Sequence, residues 1–345
     1  MFAGVPNSSS RNRAFTIAQA ETAATLQVFS TQIAGTELPG SFASERADAN
    51  WMVLDAAAQL AARCSLWWKR VPAYQNDRLG VLGHFAATSA AAASLLLHHA
   101  CDELAANACT LAVGPMDGST WRRYRFITER GSEPTFFLEP DNPDEWVGYF
   151  REAGFSTLAG YHSGLCTDLA RSDPRVPRIA ERVRRMGIEL RRLRPDQFEQ
   201  ELRHIFPIVQ AFSRNPLFSP LTRSEFMEQY LPIAAFIRPE LVLIAEVMRT
   251  PVGFVFCVPD MMQARRGSAI DTVIVKTLAV APEVEGIGLG ALLLARANEA
   301  AAALGYRRAI YALMHEHNSS RGISRRYGTT MRRYELFANK LEAAP

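Results

Sequence analysis

Hydrophobic residues recur along the chain with two periods, and the change from one to the other predicts the order of strands and helices. In the first half, residues 53–68 and 78–87 have the composition of paired buried strands, and residues 88–108 form an Ala/Leu-rich helix behind a Thr-Ser cap. In the second half, residues 271–282 predict a strand and residues 287–304 a helix. Both halves continue with a strand, a short helix and a last strand. This order predicts a duplicated α+β module.

The domain organisation follows from the length and from one basic stretch. A chain of 345 residues is long enough for two domains of ordinary size. Between the two halves, prolines and a run of arginines indicate a linker. We predict a flexible tail at residues 1–14, a first domain at 15–169, a basic linker at 170–186 and a second domain at 187–345.

Composition narrows the class of protein. The chain is 48% hydrophobic and 21% charged, as in soluble globular proteins, and its net charge of +3 does not point to a nucleic-acid partner. The five cysteines form no CxxC pair, so the sequence indicates neither a zinc ribbon nor a disulfide framework. We therefore expect no metal and a reducing, cytoplasmic location.

One uncharged stretch, residues 79–101, has to be compared with a membrane-spanning helix. It contains glycines and histidines, and its pattern changes from strand-like to helical. We interpret it as a buried strand followed by a helix. The N-terminal residues lack the continuous apolar segment of a signal peptide, in keeping with a cytoplasmic protein.

The stretch "TLAVAPEVEGIGLGALLLARA", residues 277–297, places three glycines between the predicted strand and the predicted helix. Small residues let backbone N–H groups approach an anion closely, and a helix N-terminus favours negative charge by ~0.3–1 kcal/mol. Three interpretations stay open: a coenzyme A loop, a turn without a ligand, or a dinucleotide fingerprint with Glu316 on the ribose. Pro282 and the short chain that follows argue against the dinucleotide.

The pattern L-A-V-x-P followed by G-x-G-x-G-A-L-L resembles the GNAT superfamily of acyl-CoA N-acyltransferases, and residues 187–341 resemble that fold in element order. The resemblance implies acetyl-CoA or a longer acyl-CoA as cosubstrate. It also implies that backbone groups of the strand bind the pantetheine arm and those of the loop bind the pyrophosphate. The implied binding residues are Leu278, Ala279, Val280, Glu285, Gly286, Ile287, Gly288, Leu289, Gly290, Ala291 and Asn318.

Two of these positions carry open questions. Glu285 stands where the family usually has Gln or Arg, and an acid should repel a pyrophosphate unless its side chain points away. The family commonly has an asparagine on the coenzyme arm at the position of Asn318. The same residue is equally explained as a helix N-cap.

The first half lacks the glycine trio, since "GHFAATSAAAASLLL" stands in the corresponding place. We predict a degenerate GNAT-like domain that supplies substrate surface and does not bind coenzyme in the same way. Motifs such as "GPMDGSTWRRYRF" and "FFLEPDNP" resemble bacterial two-module GNAT-like proteins that include the bacterial ceramide synthases. This resemblance implies a lipid-related amine acceptor, such as a long-chain base.

Amide formation requires an unprotonated amine and a proton for the leaving thiolate. The family's usual catalytic glutamate corresponds to Ile274, and Lys276 points to the same face of the strand, where it could act in catalysis or bind an anionic group. If the chain is aligned with the family on the glycine turn at Gly328, the family's general acid corresponds to Ser324. Tyr327 lies nearby and is a second candidate. The presence of Lys276 is explained equally well by a side chain that reaches solvent. The presence of Tyr327 is explained equally well by packing in the core.

His315 and Glu316 could also reach the acceptor, and His84 is a further candidate in the first half, although loop polarity and core packing explain them as well. The linker arginines could attract an acyl carrier protein or the inner membrane surface.

The sequence thus predicts an acyl-CoA-dependent N-acyltransferase that acts on a small-molecule or lipid amine. The alternative is a catalytically inactive acyl-CoA sensor or scaffold.

Overall fold

A computed structural model of the chain describes residues 15–42, 45–209, 212, 217–317, 322 and 324–342. Its strands are β1 (Thr16–Gln19), β2 (Ala49–Leu54), β3 (Leu60–Trp67), β4 (Leu79–Ala87), β5 (Leu111–Gly114), β6 (Phe126–Glu129), β7 (Ser156–Cys166), β8 (Ile188–Arg192), β9 (Val242–Val247), β10 (Thr250–Pro259), β11 (Thr272–Val280), β12 (Arg308–His315) and β13 (Thr329–Lys340). Its α-helices are α1 (Ala23–Phe29), α2 (Ala90–Ala106), α3 (Glu145–Glu152), α4 (Val176–Arg185), α5 (Phe198–Val209), α6 (Arg223–Tyr230), α7 (Met261–Arg265) and α8 (Leu289–Ala303).

The strands join into one continuous mixed sheet in the order β1-β2-β3-β4-β5-β13-β7-β12-β11-β10-β9-β8, with β6 paired to β13. The pairs β4–β5 and β11–β12 are parallel, and the other pairs of the described strands are antiparallel. Each half thus has one parallel pair within a mostly antiparallel sheet, with helices packed against it. The predicted tandem α+β fold is confirmed.

The two halves exchange their last strands. Strand β7 closes the first half in sequence but pairs with β12 of the second half, and β13 lies between β5 and β7. Each half of the sheet is therefore completed by a strand from the other half of the chain. The domain limits given above remain a prediction. In the folded chain the two modules share one sheet.

The first predicted strand of the chain is a hairpin. Residues 53–68 contain the end of β2, a turn, and β3, because Asp55 Oδ1 accepts hydrogen bonds from the N–H groups of Ala57 and Gln59 at 2.8 and 3.0 Å. An Asp side chain that accepts a hydrogen bond from the backbone two residues further on typically starts a turn. Asp55 therefore explains why the predicted strand is interrupted. The uncharged stretch 79–101 forms β4 and most of α2, as predicted.

The predicted linker 170–186 contains α4. Its apolar residues Val176, Ile179 and Val183 are buried in a core that they share with α8, and its last turn carries arginines. A second core on the opposite face of the sheet joins α5 and α6 to β9, β10 and β11. None of the described helices is long and apolar enough to cross a membrane.

Candidate functional site

The two parallel strands of the second module, β11 and β12, separate part-way along their length. Residues 272–275 of β11 pair with residues 308–311 of β12, and the recorded pairing of the two strands ends there. Strand β11 bulges at this point, because consecutive residues of β10 pair with Val275 and Thr277 and leave Lys276 as an extra residue. Beyond the bulge, one edge of β11 faces a gap.

The open edge of β11 presents backbone hydrogen-bonding groups. Ala281 N–H donates to Val252 O of β10 at 2.8 Å, and Ala279 pairs with β10. Backbone groups alternate in direction along an antiparallel strand, so those of Leu278 and Val280 point away from β10 and towards the gap. An extended amide-containing chain could pair with this edge as a further strand would.

The glycine loop meets the gap at the N-terminus of α8. Gly286 and Gly288 have φ angles of 78° and 91°, which side chains rarely adopt, and Gly288 is the N-cap of α8 with no side-chain cap. A Cβ built on Gly286 would meet nothing within 4 Å, whereas one on Gly288 would lie 3.0 Å from Ile179 of α4. Gly286 thus leaves space for a ligand, and Gly288 allows close packing. The first N–H groups of a helix have no partner within the helix, so they are available to an anion.

The gap and the loop open into one cleft of about 910 Å³. Residues 274–280 line it, together with Glu285, Gly286 and Gly290. The first module contributes residues 120–125 and the loop 136–140. Both modules therefore shape the cleft, and its volume is ordinary for a cofactor or ligand site.

Two aromatic groups line the cleft. The Trp121 ring lies 6.0 Å, between centroids, from both Phe212 and Phe218, in edge-to-face contacts. Tyr124 and Tyr161 form a second edge-to-face pair at 5.5 Å. The cleft thus combines an apolar surface with polar groups that can orient a ligand.

Lys276 lines the cleft, and its Nζ lies 4.6 Å from the centroid of the Tyr230 ring. The Tyr230 Oη is 3.0 Å from Thr277 Oγ1. Ile274, at the position of the family's usual catalytic glutamate, is packed in the same hydrophobic core as Tyr230. A cation over an aromatic ring is stabilised there, so Tyr230 holds Lys276 at the bulge.

The two candidate acids lie in different places. Ser324 is buried and lines the cleft. Tyr327 is buried in the core shared by α4 and α8 and does not line the cleft. Burial raises the pKa of Tyr327. Asn318 lies outside the described residues.

His315 lines the cleft close to the point where β12 leaves β11. Its pKa is lowered, first by burial and then by the charges of His317 and Arg125, so the ring is neutral at pH 7. Its Nδ1 accepts a hydrogen bond from the backbone N–H of His317 at 3.1 Å. The proton of the neutral ring is therefore on Nε2, which can donate to a ligand.

The sequence did not single out Arg125 and Glu139, which the first module brings to the cleft, as functional. Arg125 and Glu139 both line it. The side chains of Glu139 and Arg332 are fully buried and form an ion pair, and the Tyr334 hydroxyl donates to Glu139. Arg125 and Glu139 lie in "GPMDGSTWRRYRF" and "FFLEPDNP", the two motifs on which the resemblance to two-module proteins rests.

The corresponding gap in the first module is filled by the chain itself. Strands β4 and β5 also separate, but Met116 N–H donates to Leu82 O at 2.8 Å, and a Cβ built on Gly83 would lie 2.1 Å from Met116 O. In addition, Ser89 Oγ accepts from the Ala92 N–H and caps α2. The first module therefore presents neither an open strand edge nor a free helix N-terminus in this position.

His84 lies at the bulge of β4, buried in the first module. Its ring nitrogens form hydrogen bonds with Ser65 Oγ at 2.8 Å and with Glu45 Oε2 at 2.9 Å. The backbone N–H of His84 donates to Asp117 Oδ1. His84 is not part of the cleft lining. Its polar groups are used within the fold, as expected for a core histidine.

The geometry of the second module agrees with a comparison against protein-family models. Residues 200–326 match the model of the acetyltransferase (GNAT) family. The similarity to that family covers this segment, which is less than half of the chain. The matched GNAT segment runs from α5 through the open strand β11 and the glycine loop to the turn before β13. No curated protein matches the chain.

Solved structures with GNAT folds resemble the whole chain. The GCN5-related glucosamine N-acetyltransferase region of a fungal multi-domain GH3 β-N-acetylglucosaminidase is 14% identical, with a TM-score of 0.55 over 97% of this chain. The present chain spans only 39% of that protein. A GCN5-related N-acetyltransferase from Sphaerobacter thermophilus is 13% identical, with a TM-score of 0.50, covering 85% of this chain and 81% of that one.

A tandem GNAT protein from the clavulanic acid biosynthesis pathway is also similar. It is 11% identical, with a TM-score of 0.51, covering 96% of this chain and 100% of that one. At such identities the similarity shows the fold alone. The tandem GNAT architecture therefore extends over both halves, whereas substrate and activity have to be argued from the site.

Proposed function

We propose that this protein is an acyl-CoA-dependent N-acyltransferase that transfers an acyl group from a CoA thioester to an amine, with its coenzyme site in the second module. The observation that carries this proposal is that the open edge of β11 and the uncapped N-terminus of α8 face the same cleft. The first suits the amides of a pantetheine arm, and the second suits a pyrophosphate.

In the proposed reaction the acceptor nitrogen attacks the thioester carbonyl carbon, the C–N bond forms, and the C–S bond breaks. The amine loses a proton and the thiolate gains one. Leu278 and Val280 hold the pantetheine arm through their backbone groups, and the α8 N-terminus holds the pyrophosphate. The reacting carbonyl then lies near the bulge at Lys276, where Ser324 is the candidate donor of a proton to the thiolate.

The first module takes the role of acceptor surface in this proposal. Its own gap is filled by the backbone around Met116, and its residues 120–125 and 136–140 line the cleft of the second module. The aromatic groups of the cleft support an acceptor or acyl group with an apolar part, which includes the lipid-related amines that the sequence suggested.

The experiment uses a charge placed at the helix N-terminus. Gly290 lies in the first turn of α8 and lines the cleft, so Gly290→Asp puts a carboxylate beside the proposed pyrophosphate site. An acid in the first turn stabilises a helix by ~0.3–1 kcal/mol, so folding should be retained. Repulsion between like charges should weaken acyl-CoA binding by about 10- to 100-fold. Gly290→Asn has nearly the same shape without the charge and is the matched control.

Acyl-CoA binding is measured by calorimetry, and thiol release is measured with a series of acyl-CoAs and a panel of amines. We expect thiol release that depends on the amine and that falls in Gly290→Asp far more than in Gly290→Asn. Equal binding by the two variants would refute the coenzyme site. Binding without amine-dependent thiol release would favour the alternative, an acyl-CoA sensor or scaffold.

A further inference from the structure

Arg125 occupies an unusual position in the cleft. Its side chain is buried, with only 5% of the residue exposed, and its guanidinium carbon lies 3.7 and 4.1 Å from the ring centroids of Tyr124 and Tyr161. Its Nη1 donates to Leu313 O at 3.1 Å. Leu313 lies where β12 has already left β11, so Arg125 is placed at the mouth of the gap on the side of the first module.

The backbone of Arg125 supports a functional role. Its φ angle is 69°, in the left-handed region that residues with a side chain rarely adopt. Leu313, which accepts its hydrogen bond, has a φ angle of 56°. Strained residues of this kind persist where the surrounding structure holds them, and they concentrate at ligand sites. Two such residues here contact each other and line one cleft.

The charge of Arg125 is not balanced within the described part of the chain. Its neighbour Arg123 lies 3.2 Å from Asp117, but Arg125 makes no ion pair with any described carboxylate. Its Nε is buried without a hydrogen-bond partner. A buried guanidinium has five N–H donors, and leaving them unused is unfavourable. The rings of Tyr124 and Tyr161 are nearly perpendicular to each other, and both pack against the guanidinium. The N–H groups of a guanidinium lie in its plane, so a partner has to approach its edge.

The groups around Arg125 also favour an anion. Lys276 and the Nε2–H of His315 line the same cleft. The carboxylate of Glu139, although it belongs to the lining loop, is already bound by Arg332 and Tyr334. A planar guanidinium edge matches the two oxygens of a carboxylate or a phosphate group.

We propose that Arg125 binds an anionic group, a carboxylate or a phosphate, on the molecule that carries the acceptor amine. This inference rests on the proposed function and specifies its substrate class: anionic amines, such as amino acids or phosphorylated amines, are accepted in preference to neutral ones. It also gives the "WRRYRF" motif a role, since the motif places Arg125 between Tyr124 and the strand β6.

The experiment compares acceptors that share a skeleton and differ in charge: leucine, leucinamide, 3-methylbutylamine, and the aminophosphonate analogue of leucine. The same set is built on phenylalanine and on 2-aminododecanoic acid. Binding of each compound to the protein is measured by calorimetry in the presence of CoA. We expect the anionic compounds of at least one skeleton to bind about 10- to 100-fold more tightly than their neutral counterparts. The carboxylate and phosphonate arms decide which anion is preferred.

The variant Arg125→Gln should abolish this preference while CoA binding stays unchanged. Arg125→Lys keeps the charge but not the planar edge, so it should reduce the preference without removing it, and it serves if Arg125→Gln does not fold. Arg178→Gln, at an exposed arginine of α4, controls for the change in net charge. Equal binding of anionic and neutral compounds by the wild type, no binding of any anionic compound, or a preference that survives Arg125→Gln would overturn the inference.

Thiol release is measured in parallel with the same compounds. If the anion preference is present and depends on Arg125 but no thiol is released with any amine, the proposed function fails and the anion site stands. If thiol is released with anionic and neutral amines alike, the proposed function stands and the inference about Arg125 fails.

Discussion

The closed gap of the first module can be tested by adding a single methyl group. A Cβ built on Gly83 would lie 2.1 Å from Met116 O, 2.5 Å from Met116 C and 2.7 Å from Asp117 Cα, which are all backbone atoms. Gly83→Ala therefore forces the segment that fills the gap to move. The matched control is Gly80→Ala in the same strand, where the three atoms nearest to the new Cβ all belong to the side chain of Leu104, at 2.5–2.9 Å.

The magnitude follows from the contacts that must break. Overpacking of a dense core costs about 1–3 kcal/mol. Moving the backbone at Met116 also disturbs its 2.8 Å bond to Leu82 O and the 2.6 Å bond from His84 N–H to Asp117, and each lost buried hydrogen bond costs about 1–3 kcal/mol. We expect Gly83→Ala to lower the free energy of unfolding by about 3–5 kcal/mol. Gly80→Ala should cost about 1 kcal/mol, because a leucine side chain can rotate.

The assay is equilibrium unfolding in urea followed by tryptophan fluorescence. All five tryptophans lie in the first half of the chain, so the signal reports on the module that carries the substitution. The folded fraction of each variant is then tested for acyl-CoA binding, which should be unchanged because the proposed coenzyme site is in the second module. If the free energies of unfolding of Gly83→Ala and Gly80→Ala differ by less than about 1 kcal/mol, the gap of the first module is not closed as described.

Three further predictions address the cleft and its supports. Arg332→Met leaves Glu139 buried without its ion-pair partner and should lower the free energy of unfolding by about 3–5 kcal/mol, as measured in urea. Ser324→Ala, at the cleft, should lower kcat by about tenfold or more, whereas Tyr327→Phe, in the core, should retain kcat within about twofold; the reverse order would identify Tyr327 as the acid. Because the pKa of His315 is lowered in the folded state, protonation favours unfolding, so its stabilising contribution is complete above pH ~6.5 and is lost as the pH falls through the folded pKa. The stability of wild type relative to His315→Gln should therefore decrease from pH 7.5 to pH 5, and a constant difference would contradict this.

Local sequence patterns were sufficient for most of the second module. Strand β11 and helix α8 each have a periodicity that depends on near neighbours alone, and both were predicted. The glycine loop was also visible, because a left-handed φ and an uncapped helix start are properties of a few adjacent residues. The turn at Asp55 shows the limit of this approach. Residues 53–68 are mostly apolar and were predicted as one strand, but a hydrogen bond from the Ala57 N–H to the Asp55 side chain starts a turn there.

The acceptor side of the cleft could not be predicted in the same way. Arg125 and Glu139 are more than a hundred residues from β11 in sequence, and nothing in their local pattern indicates that they reach it. Tyr327 and Ser324 belong to one turn of the chain, yet Tyr327 lies in the core and Ser324 lines the cleft, because their side chains face different neighbours. Such assignments depend on which surfaces pack together.

The sequence by itself determined the two α+β modules, the glycine loop of the second half and the absence of such a loop from the first half, because these features arise from short-range periodicity and from single backbone positions. The tertiary structure alone decided that the modules exchange β7 and β13 and share one sheet. This exchange brings first-module residues to the second module's cleft, since strand pairing joins segments that are far apart in the chain. The charge environment of Arg125 follows from that pairing, and with it the class of acceptor that we propose.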